Sequence, residues 1–291
     1  MTDHRELQIA VNTISSAEDS VGLQVLETGQ PFNGEQYSRL KYGSLKAARS
    51  MGRALGTKIV EDEPDFALGP TPPEAAVVYK SVPPACMALS QYCIDVMNES
   101  RIELGLEPAK TVHIHKSSLI GFEYAASSPE DRARVLASIE YDNDGHVFAG
   151  KPVLVVDDIR ITGSAERRTR DAIQPENPLQ LAFGYIALFD ETQAMADAQI
   201  EDRINHTYVN DLNGVLDIIR NDGFVLNIRT LKRILSPQEA GFRDNFLDSI
   251  SDDLLYDIYS GAMSSGPDFV NAYLAGFEKV KQYIKDRRIA E

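Results

Sequence analysis

Val153-Leu154-Val155-Val156-Asp157-Asp158-Ile159-Arg160-Ile161-Thr162-Gly163-Ser164-Ala165 is the stretch that decides the fold. Four apolar residues in a row, three of them β-branched, lie between Pro152 and Asp157 and read as a strand covered on both faces. That is the pattern of a parallel sheet. The strand delivers two adjacent carboxylates to its carboxyl end, the edge where open α/β sheets bind ligands. A polar turn follows, then a helix predicted from about Ser164 to Ile173 and another apolar strand from Leu181 to Phe189. Helix starts carry unpaired N–H groups and the positive end of a dipole, so a turn of Thr162, Gly163 and Ser164 can cradle a phosphate there. Gly163 permits close backbone approach and a positive φ.

On the amino side, Thr111–Ile114 predicts a second strand, and Phe66-Ala67-Leu68 a short one closed by the rigid loop Gly69-Pro70-Thr71-Pro72-Pro73. Leu40, Leu45, Ala48, Met51 and Leu55 fall at threes and fours, predicting one helix from Gln36 to about Gly56. A longer helix is predicted after Pro83-Pro84, through Met87, Leu89, Ile94 and Met97 to about Leu104, and Ser128-Pro129-Glu130-Asp131 reads as a further helix start. Strands alternating with helices predict an α/β fold, a doubly wound, mainly parallel sheet spanning residues 35–195. Residues 1–34 alternate (Leu7, Ile9, Val11; Val21, Leu23, Val25), which suits a hairpin or a mobile arm. Residues 196–291 lose the strand pattern; Leu212, Val215, Leu216 and Ile219, then Phe246, Ile250, Leu254 and Ile258, have helical spacing. They predict a C-terminal helical extension, packed on the α/β core or on a second subunit of a homodimer, and apart from the ligand site.

The chain has 291 residues, 43% hydrophobic and 25% charged, the balance of a globular protein with ample core. Lys plus Arg total 29 against 44 acidic residues, a net charge of −15, which excludes bulk nucleic-acid binding and attraction to anionic membranes. No stretch approaches the roughly 18–20 apolar residues of a membrane span. The opening residues carry no secretory pattern, so a cytoplasmic location is expected. Cys86 and Cys93, seven apart on the predicted helix, are too distant for a disulfide and read as small buried hydrophobes.

Carboxylates beside a phosphate cradle are consistent with a sugar phosphate as ligand. Aspartates accept hydrogen bonds from vicinal hydroxyls and help to hold a divalent cation, while the turn takes the phosphate. The segment resembles the 5-phosphoribosyl-1-diphosphate (PRPP) motif of type I phosphoribosyltransferases: apolar strand, acidic pair, then Thr-Gly-any-Thr/Ser. Asp157 and Asp158 match the pair and Thr162-Gly163 the Thr-Gly, while Ala165 stands where a hydroxyl residue is expected. The surroundings agree over residues 36–190. Phe148-Ala149-Gly150-Lys151-Pro152 resembles the family's turn before the strand, and the polar 115–135 stretch sits where the family carries a mobile loop. Tyr79-Lys80-Ser81-Val82-Pro83 also resembles phosphoribosyltransferase-like proteins of tellurium-resistance-type gene clusters, which have a helical tail.

The resemblance implies Mg²⁺-dependent transfer of a phosphoribosyl group from PRPP to an unidentified small acceptor, with release of pyrophosphate. It places Asp157 and Asp158 on the ribose hydroxyls and, through PRPP or water, on the metal. Ile161, Thr162, Gly163, Ser164 and Ala165 fall at the 5-phosphate. Gly69, Pro70, Thr71, Tyr79, Lys80, Lys116 and Arg132 are candidates for the pyrophosphate side; no general base is identified. The alternative is a non-catalytic PRPP-binding regulatory or assembly protein, to which the missing hydroxyl at Ala165 gives weight.

Val-Leu-Val-Val-Asp-Asp also resembles the opening of response-regulator receiver domains. Those begin near their first strand, whereas here more than a hundred residues precede the motif and Thr162-Gly163 would have no role. A purely structural strand-turn-helix is the other competing reading. His113 and His115 alternate on one strand face, but no third ligand is close in sequence, so surface or hydrogen-bonded histidines are expected. Arg167, Arg168 and Arg170 are expected to be solvated or paired with Glu166 and Asp171.

Overall fold

In the computed structural model, residues 6–16, 23–116, 141–142, 148–190, 192–193 and 200–289 are described. The strands are β1 (Leu7–Ser16), β2 (Leu23–Val25), β3 (Glu74–Tyr79), β4 (Lys110–Lys116), β5 (Tyr141–Asp142), β6 (Pro152–Arg160) and β7 (Gln180–Phe189). They form one seven-stranded sheet in the order β2-β1-β7-β6-β3-β4-β5. From β1 to β4 every neighbouring pair is parallel; the short β2 and β5 close the two edges antiparallel. The apolar quartet of β6 sits between β7 and β3, which is why it needs no polar face.

Helices cover both faces. On one, α2 (Leu45–Asp62) and α4 (Ala85–Glu103) bury Leu55, Ile59, Leu89, Cys93 and Met97 against Leu154, Val156 and Ala182. The two helices touch through Gly52 and Gly56, where a Cβ would come within 2.6 Å of the Leu89 and Cys93 carbonyl oxygens. The other face carries α5 (Ser164–Ile173), whose Ile173 joins Phe148, Val153, Val155 and Phe183. This is the doubly wound, mainly parallel α/β arrangement that alternating strands and helices predict.

Three expectations need correction. The helix expected from Gln36 to Gly56 is two: α1 (Gly34–Lys41) and α2 are broken at Tyr42-Gly43-Ser44. Gly43 takes φ +95 and lies against the Val225 carbonyl, and the Ser44 hydroxyl caps α2 through the Ala47 N–H at 3.0 Å. Gly56 does not end α2, because it serves the contact with α4. Phe66-Ala67 is not a strand but the buried side of the short helix α3 (Pro64–Ala67), with Pro64 in its first turn. The strand comes after the proline loop, as β3. Finally, β1 and β2 pair as a hairpin, yet β1 is no appendage: Leu7 to Ile14 pair in parallel with Ala182 to Phe189 of β7.

The remaining helices are α6 (Ile200–Asn205), α7 (Leu212–Asn221), α8 (Ile228–Leu235), α9 (Ala240–Ser249), α10 (Asp252–Ser264), α11 (Pro267–Ala272) and α12 (Leu274–Ile289). Ile200 and Ile204 of α6 join the core of the α/β part, while α7 to α12 bury a core of their own, including Leu212, Leu231, Phe246, Ile258, Phe269 and Val280, and draw in Tyr42 and Val82 from the α/β part. The turn before α8 is stitched to the α1–α2 corner: Val225 N–H donates to Gly43, Leu45 to Gly223 and Lys46 to Asp222, at 3.0, 3.0 and 3.1 Å. Arg39 adds ion pairs to Asp222 and Asp217 at 3.0 and 3.2 Å. The extension therefore packs on the α/β part of its own chain. Among the described residues no helix is long and apolar enough to cross a membrane.

Candidate functional site

The acidic pair sits near the carboxyl end of β6, and the chain holds its two members differently. Asp158 is buried, and its carboxylate accepts from the Tyr37 hydroxyl at 2.9 Å and the Ile159 N–H at 2.8 Å while pairing with the Lys41 ammonium. Tyr37 and Lys41 are one helical turn apart on α1, so one face of that helix meets Asp158. Asn33 caps α1 through the Gln36 N–H at 2.9 Å. Asp157 is half-buried, and its carboxylate accepts the Asp158 N–H at 2.9 Å.

Burial alone would raise the Asp158 pKa, but the Lys41 charge and the hydrogen bonds outweigh it and hold the carboxyl below its usual range. Asp157 has burial and the negative Asp158 against it, and is pushed up to about 7. Burial followed by the same negative charges raises the Cys86 thiol well above its usual value. The pair thus offers one firmly ionised carboxylate that is already engaged and one that binds or releases a proton near neutrality.

The turn after β6 has the geometry of an anion cradle. Gly163 takes φ +66 and opens α5, which begins without a side-chain cap, leaving its first-turn N–H groups and dipole facing the turn. The Thr162 and Ser164 hydroxyls lie 3.0 Å apart. Arg167 reaches back to the Thr162 carbonyl and the Ser164 hydroxyl, both at 3.1 Å. Ala165 is exposed, so its small size is not forced by packing. Ile161 packs its side chain on the core and leaves only backbone to the turn.

Beneath the turn lies a buried polar knot. The Arg160 guanidinium passes under Gly163, where a Cβ would come within 2.9 Å of it, and donates to Glu166 at 2.9 Å. Glu166 also accepts from Tyr185 at 2.7 Å, Gln8 at 2.9 Å and Arg170 at 2.7 Å, so β1, β6, β7 and α5 converge on one carboxylate. Burial opposes its charge, but these donors prevail and lower its pKa. Arg170 pairs with Glu166 as expected; Arg168 and Arg167 instead fold back on the turn. Helical spacing alone gave no signal for Arg167, Tyr37 or Lys41, because what they touch is distant in sequence or lies in the turn.

The other candidates separate by sheet edge. Tyr79 ends β3 and Lys80 follows it at the carboxyl edge, the same edge as the acidic pair. The Tyr79 ring stacks on His113 at 3.8 Å, and His113 Nε2 lies 2.9 Å from the Tyr79 carbonyl, the hydrogen-bonded histidine expected. Lys80 donates to the Ser265 carbonyl at 3.2 Å and Ser81 to that of Ser264 at 2.6 Å, so this segment also holds the helical extension. Gly69, Pro70 and Thr71 are a correction. Since the strand follows them, they lie before β3 at the amino edge, separated from the acidic pair by more than the length of the intervening strand. There the Gly69 and Ala67 carbonyls accept from buried Arg101 at 3.1 and 2.7 Å. The Lys116 backbone ends β4, but its side chain, like Arg132 and the helix start at Ser128, lies outside the described residues.

The extension also reaches residues around this edge. Asn227, the cap of α8, donates to the Lys41 carbonyl at 3.1 Å. Arg229 in the first turn of α8 lies 3.9 Å from Glu201 of α6; burial opposes its charge, while Tyr42, Glu201, Tyr37 and Asp158 favour it and raise its pKa.

A divalent cation fits one side of this arrangement. Among the described residues no three His, Cys, Asp or Glu side chains gather to hold an ion. A metal here would take most of its oxygens from a polyphosphate ligand or water, with Asp157 as the carboxylate on offer.

Residues 23–278 match the family described as PRTase ComF-like. Among solved structures, the hypoxanthine phosphoribosyltransferase of Trypanosoma cruzi with its product IMP is 18% identical over 48% of this chain, with a TM-score of 0.32. The alignment spans 65% of that enzyme's length. The hypoxanthine-guanine phosphoribosyltransferase of Bacillus anthracis str. 'Ames Ancestor' is 15% identical, covering 50% of this chain and 68% of that one, with a TM-score of 0.30. No curated protein matches the chain.

Proposed function

Because the chain belongs to the PRTase ComF-like family, we propose that it binds PRPP with Mg²⁺ and transfers the phosphoribosyl group to a small acceptor, releasing pyrophosphate. The observation that carries this reading is the joint placement of Asp157 and the uncapped start of α5 on the two sides of the turn between β6 and α5. In it the Gly163 turn, with Thr162, Ser164 and Arg167, takes the 5-phosphate. Asp157 takes the ribose hydroxyls, with Asp158 behind it. The metal, when bound, neutralises the pyrophosphate. The protein's own part is orientation of the sugar and exclusion of alternative poses.

A second reading is a PRPP-holding regulator without turnover. Two observations favour it: Asp158 is already closed on Lys41 and Tyr37, and Ala165 brings no hydroxyl to the cradle. The readings share binding and differ in turnover. Calorimetry with PRPP should show affinity that is lost when Mg²⁺ is chelated, because ligand and chain are both anionic; equal affinity with and without the metal refutes the assignment. A pyrophosphate-release assay against a panel of nucleobases and amines should then show turnover with at least one acceptor. Binding without release across the panel favours the regulator.

A further inference from the structure

Asp158 lacks the openness of a ligand carboxylate. One oxygen accepts from the Tyr37 hydroxyl and the Ile159 N–H, and the other is paired with Lys41. The side chains of this ion pair are only 11% and 10% exposed, so each charge depends on the other for its compensation. Lys41 is also fixed from behind. It is the last residue of α1, its carbonyl accepts from buried Asn227 at 3.1 Å, and the next residue, Tyr42, is buried and bonds His206 at 3.0 Å. A long, flexible amine anchored in this way is a built feature of the edge and not a drifting surface charge.

We propose that Lys41 is the resident cation of the acidic pair, occupying at Asp158 the place a divalent ion would otherwise take. Asp157 is then the single carboxylate the pair offers, and a divalent ion enters with the anionic ligand instead of waiting in the free protein. The identity of that ligand rests on the PRPP reading; the counter-ion role is a property of the free chain and is tested without PRPP.

The test is titration of Mn²⁺ alone into the full-length protein, with free ion followed by electron paramagnetic resonance. Removing a fixed positive charge beside two carboxylates should let Lys41→Met bind Mn²⁺ at least about tenfold more tightly than wild type. Lys41→Arg should keep the wild-type affinity, and adding Asp158→Asn to Lys41→Met should abolish the gain. A folded Lys41→Met protein with wild-type Mn²⁺ affinity overturns the proposal. If that variant does not fold, the double variant Lys41→Met/Asp158→Asn decides, because it removes the ion pair and leaves the net charge beside Asp157 unchanged. With Asp158 occupied by Lys41 in the wild type, the double variant's Mn²⁺ affinity matches wild type, whereas a clear fall means that Asp158 was available to the metal. Absence of PRPP binding to wild type would overturn the functional reading and leave the Mn²⁺ result standing.

Discussion

Replacing Glu166 with Gln keeps the shape of the residue that ties the cradle to the sheet and removes only its charge. The side chain is 6% exposed and accepts from four donors on different elements. The amide oxygen can keep Gln8, Arg160 and Tyr185, which share one carboxylate oxygen. The amide NH₂ then faces the Arg170 guanidinium, donor against donor, where the lost bond is 2.7 Å. Breaking a buried pair costs about 3–5 kcal/mol. Arg170 keeps Glu6, so the lower end applies, about 3 kcal/mol. At an unfolding entropy near 2.1 cal/mol/K per residue, a chain of this length should lose about 5 °C in Tm. The sign with pH follows from the lowered Glu166 pKa. The contribution is complete above the usual glutamate value and is lost as pH falls through the folded one. The wild-type-minus-variant gap should therefore be full at neutral pH and close in acid. Scanning calorimetry of both proteins at neutral pH and near pH 4 checks this. A Tm fall under about 1 °C at neutral pH, or a gap that does not narrow in acid, refutes the reasoning.

Asp157→Asn should stabilise the ligand-free protein and weaken PRPP binding. A carboxyl raised from 3.8 to about 7 stabilises the fold in acid and loses that contribution as pH rises between the two values, at most about 4 kcal/mol. The variant's Tm advantage should thus appear across that window and level off above it; parallel Tm–pH curves for the two proteins would count against the raised pKa. Ala165→Thr, at an exposed position, should leave Tm unchanged and tighten PRPP by the worth of one charge-assisted bond, about 1.5–3 kcal/mol. Weaker binding by calorimetry in a folded variant would mean that the turn does not hold the 5-phosphate as assigned.

What the chain itself made legible was local. Val153–Val156 declares a doubly covered strand because its neighbours leave it no polar face, and Gly163 declares the turn because its φ is positive. What stayed hidden was contact between distant segments. Tyr37 and Lys41 look like ordinary members of an amphipathic helix until α1 is set against Asp158. Arg101 looks like a solvated helix residue until the carbonyls of Ala67 and Gly69 surround it. Phe66-Ala67-Leu68 misled because three apolar residues carry no period, and the proline that starts a helix just before them is the better guide.

The parallel pairing of β1 with β7 has a consequence for how the polypeptide is made. Leu7 finds its partner in Ala182, so β1 leaves the ribosome well before one of the last parts of the α/β unit and waits for it. At about 5–20 residues per second that delay is roughly 10–35 s, during which β1 can pair only with the short β2. Glu166, which gathers Gln8, Arg160 and Tyr185, cannot be satisfied before the same moment. The anion cradle is therefore assembled after synthesis of β7, and a nascent chain arrested before that point presents an unpaired apolar strand to chaperones and to other nascent chains.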